Sequence, residues 1–145
     1  MRIQIKSVNY TEELTAIATI RCRVFQEEQG VAPELEFDGQ DETALHLLAY
    51  LDDQPVGTAR IRALTEQQAK IERLAVLPQA RGKGIAKKLM AKAIEIVSES
   101  NYDEALVHAQ AYIKGLYHQL GFEQVGDPFI EANIPHIKMS KKLAS

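Results

Sequence analysis

No apolar run in this 145-residue chain approaches the roughly 20 residues that a spanning helix needs, which excludes a chain crossing a membrane by a helix. Cysteine occurs once, at Cys22, so no internal disulfide can form and a reducing cytoplasm is the expected compartment. The first six residues, Met1 to Lys6, alternate like a strand and lack the apolar block of a signal peptide. There is no internal repeat, no low-complexity tract and no Pro/Gly/Ser linker, and the length suits a single core. With 46% apolar and 26% charged residues the composition is that of an ordinary globular protein, neither disordered nor collagen-like. A net charge of −3 argues against a protein that coats nucleic acid.

That small net charge conceals an asymmetry. Residues 24–59 contain no Lys or Arg but nine carboxylates, among them Glu28, Glu34, Glu36, Asp38 and Asp41. Residues 60–92 contain nine cations, including Arg60, Arg62, Lys70, Arg73, Arg81, Lys83, Lys87 and Lys88, opposed only by Glu66 and Glu72. The two stretches either form solvated faces of opposite sign or suit a cationic and an anionic ligand respectively.

Residues 2–8 read as a strand. Thr11 is a candidate N-cap for a helix whose stripe of Leu14, Ile17, Ala18, Val24 and Phe25 runs to about Glu28. Arg21 lies inside that stripe and is expected to pack its stem there while its head reaches water. Residues 30–40 read as an acidic loop. Residues 44–51 and 56–63 form a hairpin around Asp52-Asp53-Gln54-Pro55, and the apolar run 70–77 is a central strand. A helix from Gly84 to about Ser98, a strand over 105–108, a helix over 111–120 stopped by Gly121, and strands over 122–125 and 134–139 complete the chain. The order β-α-β-β-β-α-β-α-β-β predicts a mixed α/β sheet with helices on both faces.

The most informative segment is the turn Pro78-Gln79-Ala80-Arg81-Gly82-Lys83-Gly84 between the central strand and the next helix. Backbone amides at a helix N-terminus, glycines that let the backbone approach closely, and the neighbouring Lys83, Lys87 and Lys88 suit a phosphate or pyrophosphate. A P-loop would need Ser or Thr where Gly84 stands, and a dinucleotide fingerprint would need glycine in place of Lys87. A plain tight turn with solvated lysines is the alternative.

Arg81-x-x-Gly84-x-Ala86, following Leu74-x-Val76, resembles the acyl-CoA-binding motif of the GNAT superfamily of N-acetyltransferases, and the element order matches that family over nearly the whole chain. Tyr117 four residues before Gly121-Phe122 resembles a second family signature. Three further features are similar to the small ElaA-like bacterial group: Arg21-x-x-Val24-Phe25-x-x-Glu28-Gln29, Asp38-Gly39-x-Asp41 before His46, and Ala109-Gln110 with Ile134-Pro135-His136-x-x-Met139.

The resemblance implies one domain over residues 1–145, with a twisted mixed sheet of six to seven strands. It also implies transfer of an acetyl group from acetyl-CoA, as co-substrate and without a metal, to a primary amine by direct attack in a ternary complex. Leu74, Ala75 and Val76 would pair with the pantetheine arm. The amides of Arg81, Gly82, Lys83, Gly84, Ile85 and Ala86 would hold the pyrophosphate, and Lys83, Lys87 and Lys88 the 3′-phosphate. Tyr117 would protonate the leaving thiolate, and a backbone N–H near Val76 would polarise the carbonyl. Glu72, His136 and His46 compete for the role of base, while His108 and His118 carry no motif and read as structural or exposed. Phe25, Glu28, Asp38, Asp41 and His46 fall on the acceptor side, where carboxylates would suit a cationic amine. That assignment fails if they pair with Arg21, Arg60 or Arg62. The acceptor would be a small molecule or a protein amine, and a homodimer is compatible with the family. A catalytically silent CoA-binding regulatory module is the alternative. A cysteine enzyme is disfavoured because Cys22 lies mid-helix.

Overall fold

A computed structural model describes residues 1–143. Its strands are β1 (Ile3–Val8), β2 (Leu45–Leu51), β3 (Gln54–Ala63), β4 (Gln68–Val76), β5 (Glu104–Gln110), β6 (Glu123–Gln124), β7 (Phe129–Glu131) and β8 (Ile134–Lys142). Its α-helices are α1 (Leu14–Arg21), α2 (Pro33–Glu36), α3 (Ile85–Glu99) and α4 (Lys114–Gln119). One sheet runs β1-β2-β3-β4-β5-β8-β6, with β7 paired to β8. It therefore has eight strands, not six to seven. The addition is β7, three residues long and too short to show a period of two, while the strand expected over 122–125 pairs only at Glu123–Gln124. The β7–β8 turn, moreover, uses Ala132 at φ 50°, a residue that announces no turn. No described helix is long and apolar enough to cross a membrane.

Alternation along the strands divides the core. Leu47, Ala49 and Val76 face the layer that contains Leu89, Met90 and Ala93 of α3, whereas Leu48 and Ala75 face Ile17 and Ile20 of α1. Helices thus cover both faces. The helix that was expected to continue to Glu28 changes character: residues Cys22–Glu28 are π-helical, with the Gln29 amide donating to the Val24 carbonyl at 3.1 Å. Its N-cap is Glu13 rather than Thr11.

Arg21 does not reach water. It is 1% exposed, and its guanidinium donates to Glu36 Oε1 at 2.5 Å and Asp41 Oδ1 at 2.6 Å. Arg60, fully buried on β3, bonds Asp38 and Asp41 at 2.8 and 2.9 Å and also contacts Glu72. Arg62 and Lys70 share Glu72 as well, and Arg73 reaches Asp38 at 3.1 Å and the Glu36 carbonyl at 3.0 Å. The oppositely charged stretches are therefore not two separate solvated faces: Asp38 and Asp41 of the first pair with Arg60 and Arg73 of the second between the acidic segment and the sheet, while Lys83, Lys87 and Lys88 stay exposed. Guanidinium cannot shed its proton, so each buried arginine requires anions around it.

Burial alone would raise the Glu72 pKa, but Arg62, Arg60 and Lys70 hold it down to about 2. The Arg60 hydrogen bond likewise keeps Asp38 well below the carboxylate range. Folding depresses both values. Their stabilisation is complete above the ordinary Glu value of 4.5 and is lost as pH falls toward about 2. Thermal melts by circular dichroism should therefore show a midpoint that declines below about pH 4.5, and Glu72→Gln should lower the midpoint at neutral pH while flattening this decline. Arg60→Met, which strands three buried or half-buried carboxylates, should cost about 3–5 kcal/mol in urea titration at pH 7.

Candidate active site

The parallel pair β4–β5 is joined only from Gln68–Lys70 to Glu104–Leu106. Beyond Lys70 the strands diverge. Arg73 has φ 55° in the middle of β4, and the β3–β4 register shifts between Thr58 and Arg60, a bulge that bends β4 away from its neighbour. The divergence opens a cleft of about 590 Å³. Leu74, Ala75, Val76 and Ala86 line it on one side, His108, Gln110 and Tyr117 on the other, with Phe25 from the π-helical segment.

Two bonds from adjacent residues span the opening. Glu28 binds the Arg81 guanidinium at 2.5 and 2.7 Å, while Gln29 and Gln110 exchange amide contacts at 2.8 and 3.4 Å. Arg81 also donates to the Val76 carbonyl at 3.0 Å, so its side chain is directed to the β4 end and to Glu28. The hydrogen bonds that Arg81 donates to Glu28 hold its carboxyl below its ordinary pKa.

Gly84 is the N-cap of α3 at φ 78°, and no side chain caps the helix. The first amides of α3 are thereby left for an outside acceptor. A Cβ built on Gly82 or Gly84 would meet nothing within 4 Å, yet φ 78° at both strains any other residue. Lys83, Lys87 and Lys88 are exposed, and no ion pair among the described residues involves them. Uncapped amides, glycine conformation and three cations fit a phosphate-bearing ligand at this end of the cleft.

Tyr117 is brought to the cleft by the turn after α4. Gly121 at φ 92° ends the helix, and the Phe122 amide donates to the Tyr117 carbonyl at 3.0 Å. The two rings meet edge to face at 5.9 Å. Burial, with a smaller effect from Tyr112, raises the Tyr117 pKa, so the phenol keeps its proton at physiological pH. Its Gly-Phe signature thus has a structural meaning: it folds the chain back onto the tyrosine.

The candidate bases separate. Glu72 lines the cleft but is pinned by three cations, and a carboxylate held at about 2 is a poor proton acceptor. His46 is 1% exposed, lies 2.8 Å from the Asp41 carbonyl, stacks on Tyr10 and does not reach the cleft. Burial lowers its pKa. His136 lies at the cleft wall with Nδ1 2.7 Å from the Ile134 carbonyl. A carbonyl only accepts, so Nδ1 carries hydrogen and Nε2 is the nitrogen left to exchange a proton.

The acceptor-side carboxylates are corrected on the same ground. Asp41 is taken by Arg21 and Arg60, Asp38 by Arg60 and Arg73, and Glu28 by Arg81. Only Phe25 and Asp38 of the five acceptor-side residues line the cleft. Sequence reasoning missed His108 and Glu131, which do line it. Glu131 Oε1 lies 3.1 Å from His108 Nδ1 and Oε2 lies 3.6 Å from His136 Nε2. Their partnership crosses 23 residues, and only the Ile134-Pro135-His136 motif lay close enough to direct attention there.

Comparison with known proteins identifies the family. The acetyltransferase (GNAT) domain family matches residues 9–143. Escherichia coli ElaA is 32% identical over 136 residues, covering 90% of this chain and 88% of its own, and its crystal structure superposes with a TM-score of 0.86 over 97% of this chain and 99% of that one. An acyl-CoA N-acyltransferase from Pseudomonas aeruginosa is 30% identical with a TM-score of 0.85, over 97% and 99% of the two chains. PaiA N-acetyltransferase from Thermoplasma acidophilum, crystallised with coenzyme A, shares the fold at 18% identity and a TM-score of 0.71, over 98% and 99%. The chain is a member of the GNAT acetyltransferase family, in the group that includes ElaA.

Proposed function

We propose that this protein transfers an acetyl group from acetyl-CoA to a primary amine by direct attack within a ternary complex. The observation that carries the reading is the meeting, in one cleft, of an unpaired β4 edge, the uncapped α3 N-terminus and the Tyr117 phenol. In this reading Leu74, Ala75 and Val76 offer backbone groups to the pantetheine amides. The amides from Arg81 to Ala86 take the pyrophosphate, and Lys83, Lys87 and Lys88 the 3′-phosphate. Acetyl-CoA supplies an acyl group activated as a thioester.

The chain's own groups handle the protons. His136 Nε2 accepts one from the acceptor's ammonium, leaving a lone pair to attack. A β4 amide near Val76 donates to the carbonyl oxygen as charge gathers there. The C–N bond forms, the C–S bond breaks, and Tyr117 gives its proton to the departing sulfur. The second proton lost by nitrogen restores the phenol, and the first leaves through His136 to solvent. Glu72 serves instead as the anion around which Arg60, Arg62 and Lys70 are held.

Acetyl-CoA at about 100 times its Kd should raise stability by ~2.7 kcal/mol, visible as an upward shift in Tm. Gly84→Val should abolish that shift, and dephospho-CoA should give a smaller one than CoA if the lysines hold the 3′-phosphate. An unchanged melt with acetyl-CoA would refute the reading.

Tyr117→Phe should lower kcat about 100-fold in a thiol-release assay and leave the KM for acetyl-CoA little changed. His136→Gln should lower kcat by a similar factor through the other proton transfer. Either variant turning over at the wild-type rate would remove that residue from the mechanism.

A further inference from the structure

The acidic segment cannot supply the charge that captures a cationic acceptor. Five cations (Arg21, Arg60, Arg62, Lys70 and Arg73) surround its Glu36, Asp38 and Asp41 together with Glu72 of β4, so the cluster carries one net positive charge. Among the described residues, one cleft carboxylate has no Arg or Lys partner within ion-pair distance, and that is Glu131 at the tip of the β7–β8 hairpin.

The surroundings of Glu131 are specific. The turn at Ala132 and Asn133, with φ 50° and 63°, pairs Glu131 with Ile134 and Phe129 with His136. This sets the Phe129 ring against both His108 and His136, at centroid distances of 5.1 and 5.9 Å. Glu131 Oε1 is occupied by His108 Nδ1. Its Oε2 stands 3.6 Å from His136 Nε2, farther than a hydrogen bond. The His136 Nδ1 hydrogen is committed to the Ile134 carbonyl, so with the ring neutral Nε2 is an acceptor, and it and the carboxylate oxygen converge with no hydrogen between them. A group with several N–H donors and a positive charge satisfies both, and a primary ammonium is that group. Lys70, bound to Glu72, and Lys138, across the β5–β8 ladder from His108, are the nearby cations.

We propose that Glu131 Oε2 and His136 Nε2 together seat the acceptor's ammonium, with Glu131 fixing the charge and His136 taking the proton. This inference rests on the acetyl-transfer reading above and assigns its acceptor pole to the β7–β8 hairpin. Glu131 is then the residue that selects a charged primary amine over a neutral amide or alcohol.

The experiment compares the full chain with Glu131→Gln, which is exposed and should keep the wild-type melting curve. Thiol release is measured with acetyl-CoA and a panel of n-butylamine, 1,4-diaminobutane and lysine methyl ester. The imidazole proton resonances of His108 and His136 are followed while each amine is added in the presence of CoA. The seat predicts an amine KM about tenfold higher in Glu131→Gln, with the KM for acetyl-CoA unchanged. It also predicts histidine shifts that the amine induces in the wild type but not in the variant. Equal amine KM values, or histidine resonances that no amine moves, would overturn the seat while an acetyl-CoA-dependent Tm shift left acetyl transfer standing. Neither thiol release nor an acetyl-CoA shift in the wild type would remove both readings together.

Discussion

The burial of Arg21 and Arg60 is the constraint on which the rest of the molecule depends. Neither guanidinium can be neutralised by losing a proton, and both lie where water does not reach. They must therefore be met by anions, and those anions come from one segment, residues 36–41, and from Glu72. That segment has little apolar surface with which to dock: Leu35 and Phe37 are 56% and 40% exposed. Ion pairs hold it on the sheet in place of a hydrophobic anchor. Arg73 completes the attachment, because its left-handed backbone lets the side chain reach the carbonyls of Leu35 and Glu36. The same distortion bends β4 out of the parallel ladder. One residue thus links docking of the acidic segment to the opening of the cleft.

An opened sheet would be expected to close again or gape, since unpaired strand edges seek partners. Here the width is set by bonds across the top. Glu28 and Gln29 are consecutive at the end of the π-helical segment. One binds Arg81 beyond β4 and the other binds Gln110 at the end of β5. The wide turn of a π-helix ends with both side chains available to opposite arms of the cleft, a frequent use of such turns near functional sites. The motif that begins at Arg21 can now be read through as mechanics. Arg21 secures the acidic segment, Val24 and Phe25 fill the space above Leu48 and Ala75, and Glu28 with Gln29 fix the aperture.

The elements with a strong pattern were legible in the sequence: the amphipathic stripe of α3 and the apolar runs of β2, β3 and β4. The glycine turn was legible too, because the positive φ of Gly82 and Gly84 leaves a mark in residue type. What could not be read were relations between distant charges. Arg60 lies 22 residues from Asp38, and nothing in composition says that they meet rather than face water. A π-helix keeps the apolar spacing of an α-helix closely enough to pass for one. The strand β7, with three residues, is too short for alternation to reveal. His108 looked inert because its carboxylate partner belongs to a hairpin that the sequence did not show.

Local charge excess is therefore a poor guide to the potential of a site. Three of the nine carboxylates in the segment without cations, Glu36, Asp38 and Asp41, end in a slightly positive cluster, because arginines from α1 and β3 enter it from beneath. The poles of the cleft are set instead by residues that escape pairing. Lys83, Lys87 and Lys88 remain exposed at the α3 end, and Glu131 remains tied only to imidazoles at the hairpin end. In the acetyl-transfer reading that separation matters physically. An anionic donor and a cationic acceptor are drawn to opposite ends of one channel, so neither competes for the other's place. The reacting atoms meet between them, near Tyr117 and the apolar end of β4 at Leu74, Ala75 and Val76.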